Sequence, residues 1–164
     1  MRLDRRRLRC VRRCAKDFAD RCERADAHTL DELTTVAGKC AGLQSLTLQI
    51  DNLSPGVLGL TEIVDCSGVI TISSHCATIQ ATLFHEIGHL LLGHSHVDFD
   101  LALSVLNDVV APPGFEHTFE LLTPEYDPHE VATAEAEAEH FAVEVGYLLD
   151  APPGVIREFA YGLG

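Results

Sequence analysis

Residues 78–94 read TIQATLFHEIGHLLLGH. Ile79, Leu83, Phe84, Ile87, Leu90 and Leu91 recur at steps of three and four, the period of a helix with a wide apolar face. Inside this pattern stands His85-Glu86-Ile87-Gly88-His89. Positions i and i+4 of a helix lie one turn apart on one face, so both imidazoles can reach one point while Glu86 projects beside them. Burying two histidines and a glutamate among leucines is costly unless a partner compensates them. The pattern therefore points to a bound metal, Zn2+ first of all, with His85 and His89 as ligands and Glu86 as general base.

A third ligand has to come from elsewhere. Extension to H-E-x-x-H-x-x-G-x-x-H fails, because Leu92 and Ser95 occupy the required positions and Gly93 and His96 are displaced by one residue. A one-residue slip rotates a helical side chain by about 100°. A glutamate from a later helix is the remaining option, and the spacing predicts such a helix from about His129 to Leu149. Val131, Ala134, Ala138, Phe141, Val145 and Leu148 form its core stripe. Glu130, Glu137 and Glu144 recur every seven residues and are placed on the opposite, solvated face. Glu135 and Glu139 border the core stripe, so Glu135 is assigned as the third ligand and Glu139 as acceptor for the far nitrogen of a ligating histidine. His94 and His96 read as polar punctuation at the end of the first helix, with Gly93 and Ser95 in its cap region.

Upstream, residues 5–24 read as a helix with Leu8, Val11, Ala15, Phe18 and Cys22 on one face and arginines on the other. Thr29 and Glu32 form a capping-box signature for a second helix carrying Leu30, Leu33, Val36, Ala37 and Cys40. Residues 46–50 alternate as a half-buried strand, and 60–64 and 69–72 read as two more short strands, separated by turns at Ser54-Pro55-Gly56 and Cys66-Ser67-Gly68. Their simplest arrangement is a meander against the histidine-bearing helix, with an edge on which an extended peptide could pair. Downstream, residues 99–110 have helical spacing, 111–128 read as a long proline-rich loop, and 151–164 close the chain with a short tail helix.

Composition bounds what this framework can be. With 164 residues and 46% hydrophobic content the chain has material for one cored domain. It divides into a helical part (1–40), a small sheet (41–76), the metal-site helices (77–150) and the tail (151–164). The formal net charge is -13, but ten of the twelve Lys and Arg lie in the first 24 residues. The acidic remainder repels nucleic acid. The arginine-rich helix lacks interleaved aromatics and reads as a solvated face packed on the domain. No apolar run follows the basic N-terminus as in a signal peptide, and none approaches a membrane span. A cytoplasmic protein without membrane or direct nucleic-acid partners is the expectation. Six cysteines without a C-x-x-C pair read as reduced thiols.

HEIGHLLLGH at 85–94 followed by EAEAEHFA at 135–142 resembles the ImmA/IrrE metallopeptidase family, whose pattern is H-E-[LI]-G-H-x-x-L-x-H, then E-x-x-A-N-x-F-A. The resemblance covers residues 78–149. It implies an α+β fold of compact zincin-like (gluzincin-like) type: N-terminal helices, a small three-stranded sheet, the H-E-x-x-H helix and a C-terminal ligand-bearing helix. It also implies a zinc site at His85, His89 and Glu135, with Glu86 as base. A helix-turn-helix repressor or similar DNA-binding regulatory protein is the implied substrate. The chain departs from the pattern at Glu139, where Asn or Asp is common, and at Tyr147-Leu148-Leu149-Asp150. It also places 45 residues between His89 and Glu135.

The expected activity is zinc-dependent endopeptidase chemistry, in which Glu86 takes a proton from the attacking water and returns it to the leaving amine. A donor to the oxyanion is sought among Tyr126, His129, His117 and His140, with the first two preferred. The alternative is a catalytically weak, zinc-stabilised regulatory module that docks a DNA-binding partner or acts as a toxin component.

Overall fold

The structure is a computed structural model that describes residues 3–94 and 128–149. Within them the chain forms α1 (Arg5–Arg24), α2 (Leu30–Cys40), β1 (Ser45–Asp51), β2 (Gly59–Val64), β3 (Ser67–Ser73), α3 (Ile79–Leu92) and α4 (Pro128–Leu148). These four helices and one small mixed sheet make an α+β architecture. The helix expected over 99–110, the loop at 111–127 and the tail helix lie outside the described residues. No helix among the described residues is long and apolar enough to cross a membrane.

Local chemistry sets the helix ends. Asp4 caps α1, its carboxylate accepting from the Arg6 and Arg7 amides at 2.7 and 2.8 Å. That carboxylate offsets three arginines in a first turn whose dipole disfavours positive charge. The Thr29/Glu32 capping box on α2 is formed in both directions. Val11, Ala15, Phe18 and Cys22 of α1 are buried as their spacing predicts. Phe18 meets Phe141 of α4 with ring centroids 6.0 Å apart.

The sheet is not a meander. Its order is β1-β3-β2, with β3 parallel to β1 and antiparallel to β2. The most apolar strand takes the centre: Ile70 and Ile72 of β3 are fully buried, whereas β2 carries Glu62 and an exposed Ile63 and Val64 and takes an edge. Placing β2 in the middle would have buried a strand with one apolar face too few. The core gathers Val11 and Phe18 of α1, Ile70 and Ile72 of β3, Leu83, Phe84 and Ile87 of α3, and Phe141 and Val145 of α4. Cys22 is buried in it and Cys14 is half-buried at its border, and burial pushes their thiols up to about 12 and about 11. Both stay protonated and unreactive at neutral pH.

The β2–β3 hairpin turns one residue earlier than the sequence pattern suggested, on Asp65 and Cys66, at φ 51 and 74°. Two consecutive positive φ values define the tight turn that suits strand twist, and they favour Asn-Gly. Cys66 has no such freedom. Cys66→Gly is expected to raise stability by about 0.5–1 kcal/mol, read as an increased urea midpoint with unchanged slope.

Candidate metal centre

Position 88 leaves little room for a side chain. A Cβ on Gly88 would lie 3.1 Å from Phe141 Cδ1 and 3.2 Å from both the Cα and the carbonyl oxygen of Ala138. The absence of a side chain lets α3 and α4 approach closely, and Ala138 supplies the matching small residue. Glu135, one turn before Ala138, then reaches the histidine face of α3. Its two carboxylate oxygens lie 3.4 Å from His85 Nε2 and 3.5 Å from His89 Nε2, and the two Nε2 atoms are 2.9 Å apart.

These three residues can hold a metal ion: their donor atoms all fall within 4.8 Å of one another. Tetrahedral zinc with bonds of 2.0–2.1 Å has ligand–ligand edges of about 3.3 Å, close to the three separations seen here. Two further observations favour an ion. Glu135 Oε1 is buried without a hydrogen bond among the described residues. Two neutral imidazoles cannot aim lone pairs at each other over 2.9 Å without a proton or cation between them.

Glu86 is 2% exposed, covered by the edge strand β2. Thr61 donates its hydroxyl to Glu86 Oε2 at 2.8 Å. Two residues earlier on the same face of β2, a Cβ at Gly59 would stand 2.5 Å from Glu86 Oε1. A glycine and a threonine at alternate positions therefore form a cradle fitted to this carboxylate. Burial raises the pKa of Glu86, against the lowering effects of His85 and Thr61. Gly59→Ala is expected to cost about 1–3 kcal/mol through overpacking and to push the carboxylate from its seat, measurable by denaturation and by loss of the Thr61 contact in a crystal structure.

The histidines respond to the same burial. It pushes His89 down to about 2, reinforced by His85 and His94. At His85 burial also lowers, but Glu135, Glu86 and Glu139 together outweigh it and the net shift is upward. The metal-free pair thus takes one proton where the unfolded chain takes two. Below an unfolded-state value of about 6.5 the unfolded chain binds more protons, so stability falls as pH falls. The raised Glu86 has the opposite slope above its ordinary value of 4.5. In a Glu86→Gln background, which removes that opposition, the metal-free urea midpoint should drop from pH 7 to pH 5. Adding His89→Asn should reduce this slope, leaving the part contributed by His94, which burial also shifts down.

His94 is no mere punctuation at the helix end. Gly93 adopts the left-handed conformation (φ 78°) that ends α3, and the His94 amide donates back to the His89 carbonyl at 2.9 Å. This turn lays the His94 ring against His89, Nδ1 to Nδ1 at 3.2 Å, with His94 Nε2 3.0 Å from Glu137 Oε2. Glu137 in turn accepts from Arg7 Nη1 at 3.0 Å. Burial lowers the pKa of His94, opposed by Glu137.

The row at 130, 137 and 144 is accordingly not a solvated face throughout. Glu137 is nearly buried and Glu144 accepts from Arg12 Nε at 2.7 Å, so this row meets α1. The neighbour at the far nitrogen of His89 is His94, while the charge of Glu139 acts on the other ligating histidine, His85. His129 stands in the first turn of α4, where Thr133 donates to its carbonyl at 2.6 Å. His140 is exposed. Tyr126, His117 and His96 lie outside the described residues. The signal for His94 was present in the Gly-His pair closing the α3 motif, but the pairing of His94 with Glu137 depends on the helix crossing.

No protein-family model, no curated protein and no solved structure matches this chain.

Proposed function

We propose that the chain is a zinc-dependent endopeptidase of the ImmA/IrrE type, acting on a repressor-like DNA-binding protein. The observation that carries the reading is the convergence of His85, His89 and Glu135 on one point beside a buried glutamate cradled by an edge strand. Two imidazoles and one carboxylate fit zinc, and hydrolytic zinc sites use three protein ligands of these types. When bound, the ion supplies Lewis acidity for a water nucleophile and for the carbonyl it attacks.

The residues of the chain do the rest. Glu86 takes the proton of the attacking water and passes it to the leaving amine. Thr61 fixes which carboxylate oxygen is occupied and leaves the other as base. Among the described residues no strand pairs with the outer edge of β2, which offers an extended peptide backbone groups next to the strand residues that hold Glu86. The repressor-like substrate class comes from the resemblance of HEIGHLLLGH and EAEAEHFA to the family motifs.

Glu86→Gln tests the reading. The variant should retain one equivalent of zinc by metal analysis, lose cleavage by about 100-fold or more, and melt at a higher temperature because a buried ionisable group is gone. His89→Ala and Glu135→Ala should lose the metal. Cleavage is scored by mass spectrometry after co-expression with candidate helix-turn-helix proteins. A Glu86→Gln protein that keeps its full biological effect would replace the enzyme reading with that of a zinc-stabilised docking module.

A further inference from the structure

His94 is not one of the three converging donors, yet its ring is nearly as buried as theirs. The Nδ1–Nδ1 contact at 3.2 Å between His89 and His94 needs one proton. If His89 donates it, His94 accepts through Nδ1 and carries its own proton on Nε2, where Glu137 Oε2 accepts it at 3.0 Å. Glu137 is then oriented by the guanidinium of Arg7 on its other oxygen. For a neutral His94 the reverse order fails, because a lone pair on Nε2 would face a carboxylate lone pair at that distance.

We infer that His94 is a positioning residue for the metal centre, locking the His89 ring in the Nδ1–H tautomer so that Nε2 presents its lone pair to the point shared with His85 and Glu135. Glu137 and Arg7 extend this chain of hydrogen bonds from α3 through α4 to α1. The inference rests on the reading of His85, His89 and Glu135 as metal donors. It explains why α3 ends in Gly93-His94: the left-handed glycine is what returns the next side chain to the histidine five residues earlier.

The gradient along the chain makes it testable. Zinc affinity of the full-length protein, measured by chelator competition, should fall by about 10–100-fold in His94→Ala, as for other groups that orient a ligating histidine. His94→Asn, which keeps an acceptor near the place of Nδ1, should recover part of the loss. Arg7 is 53% exposed, so Arg7→Ala should cost a few-fold at most. Arg12→Ala removes a similar α1–α4 ion pair that does not lead to the histidines, and should leave affinity unchanged.

A second readout needs no metal. Ring 15N chemical shifts should place the His89 proton on Nδ1 in the zinc-free wild type and also in His85→Ala, where no proton of His85 faces His89 Nε2; in the His85→Ala background, adding His94→Ala, but not Arg12→Ala, should release it to a tautomer mixture. Unchanged zinc affinity in both His94 variants overturns the inference, as does a His89 proton on Nε2 in the wild type. A wild type that takes up no zinc sinks the metal reading by itself, and the tautomer then decides whether His94 orients His89. If His94→Ala does not fold, His94→Asn and the wild-type tautomer carry the decision.

Discussion

The close approach of α3 and α4 at Gly88 is the constraint on which the rest depends. A residue with even one carbon more at this position would press on Phe141 and on the backbone of Ala138. Helix axes respond to such pressure by separating, because packed side chains do not compress. The three donor separations span only 2.9 to 3.5 Å. A displacement of α4 by even a few tenths of an ångström would therefore matter more to the centre than to the core. Gly88 sits between the two histidines of the motif, so the residue that permits the crossing and the residues that use it share one helical turn.

The second constraint is electrostatic. Glu86 and His89 are almost fully buried, and buried polar groups are tolerated only when satisfied. Each has its own provision. Glu86 depends on β2, and here the mixed topology matters: because β3 occupies the centre, β2 lies at the edge with Gly59 and Thr61 against α3. His89 depends on the turn at Gly93, which supplies His94 from the same helix. Neither provision requires a long-range loop; both come from elements whose packing the core already determines.

Much of this was legible in the sequence, and the boundary of legibility has a physical meaning. Period-3.6 stripes gave α1, α2, α3 and α4 nearly to the residue, since amphipathic spacing reflects burial directly. The grouping of His85, His89 and Glu135 followed from helix geometry and motif resemblance together. Strand order did not, because alternation reports which face is buried and not which strand is central; the burial of Ile70 and Ile72 decided that. Glu137 was misplaced for a related reason. It lies about 100° around the helix from Ala138, outside the core stripe, but a long side chain on a closely packed helix can reach back over the neighbouring helix end. Sequence spacing specifies a direction, whereas contact also depends on how near the partner is.

The charge asymmetry of the chain also changes meaning once folded. Arg7 and Arg12 do not wait for an external acid; they face Glu137 and Glu144 across the α1–α4 interface. Such pairs at the surface contribute little to stability and are screened by salt. Glu137 is different, because one oxygen meets the exposed guanidinium of Arg7 and the other meets His94 where solvent is nearly excluded. The same carboxylate thus couples a screened interaction to a poorly screened one. An arginine that adds little to folding can still help to fix a carboxylate whose orientation is felt two hydrogen bonds further in, at the ring of His89.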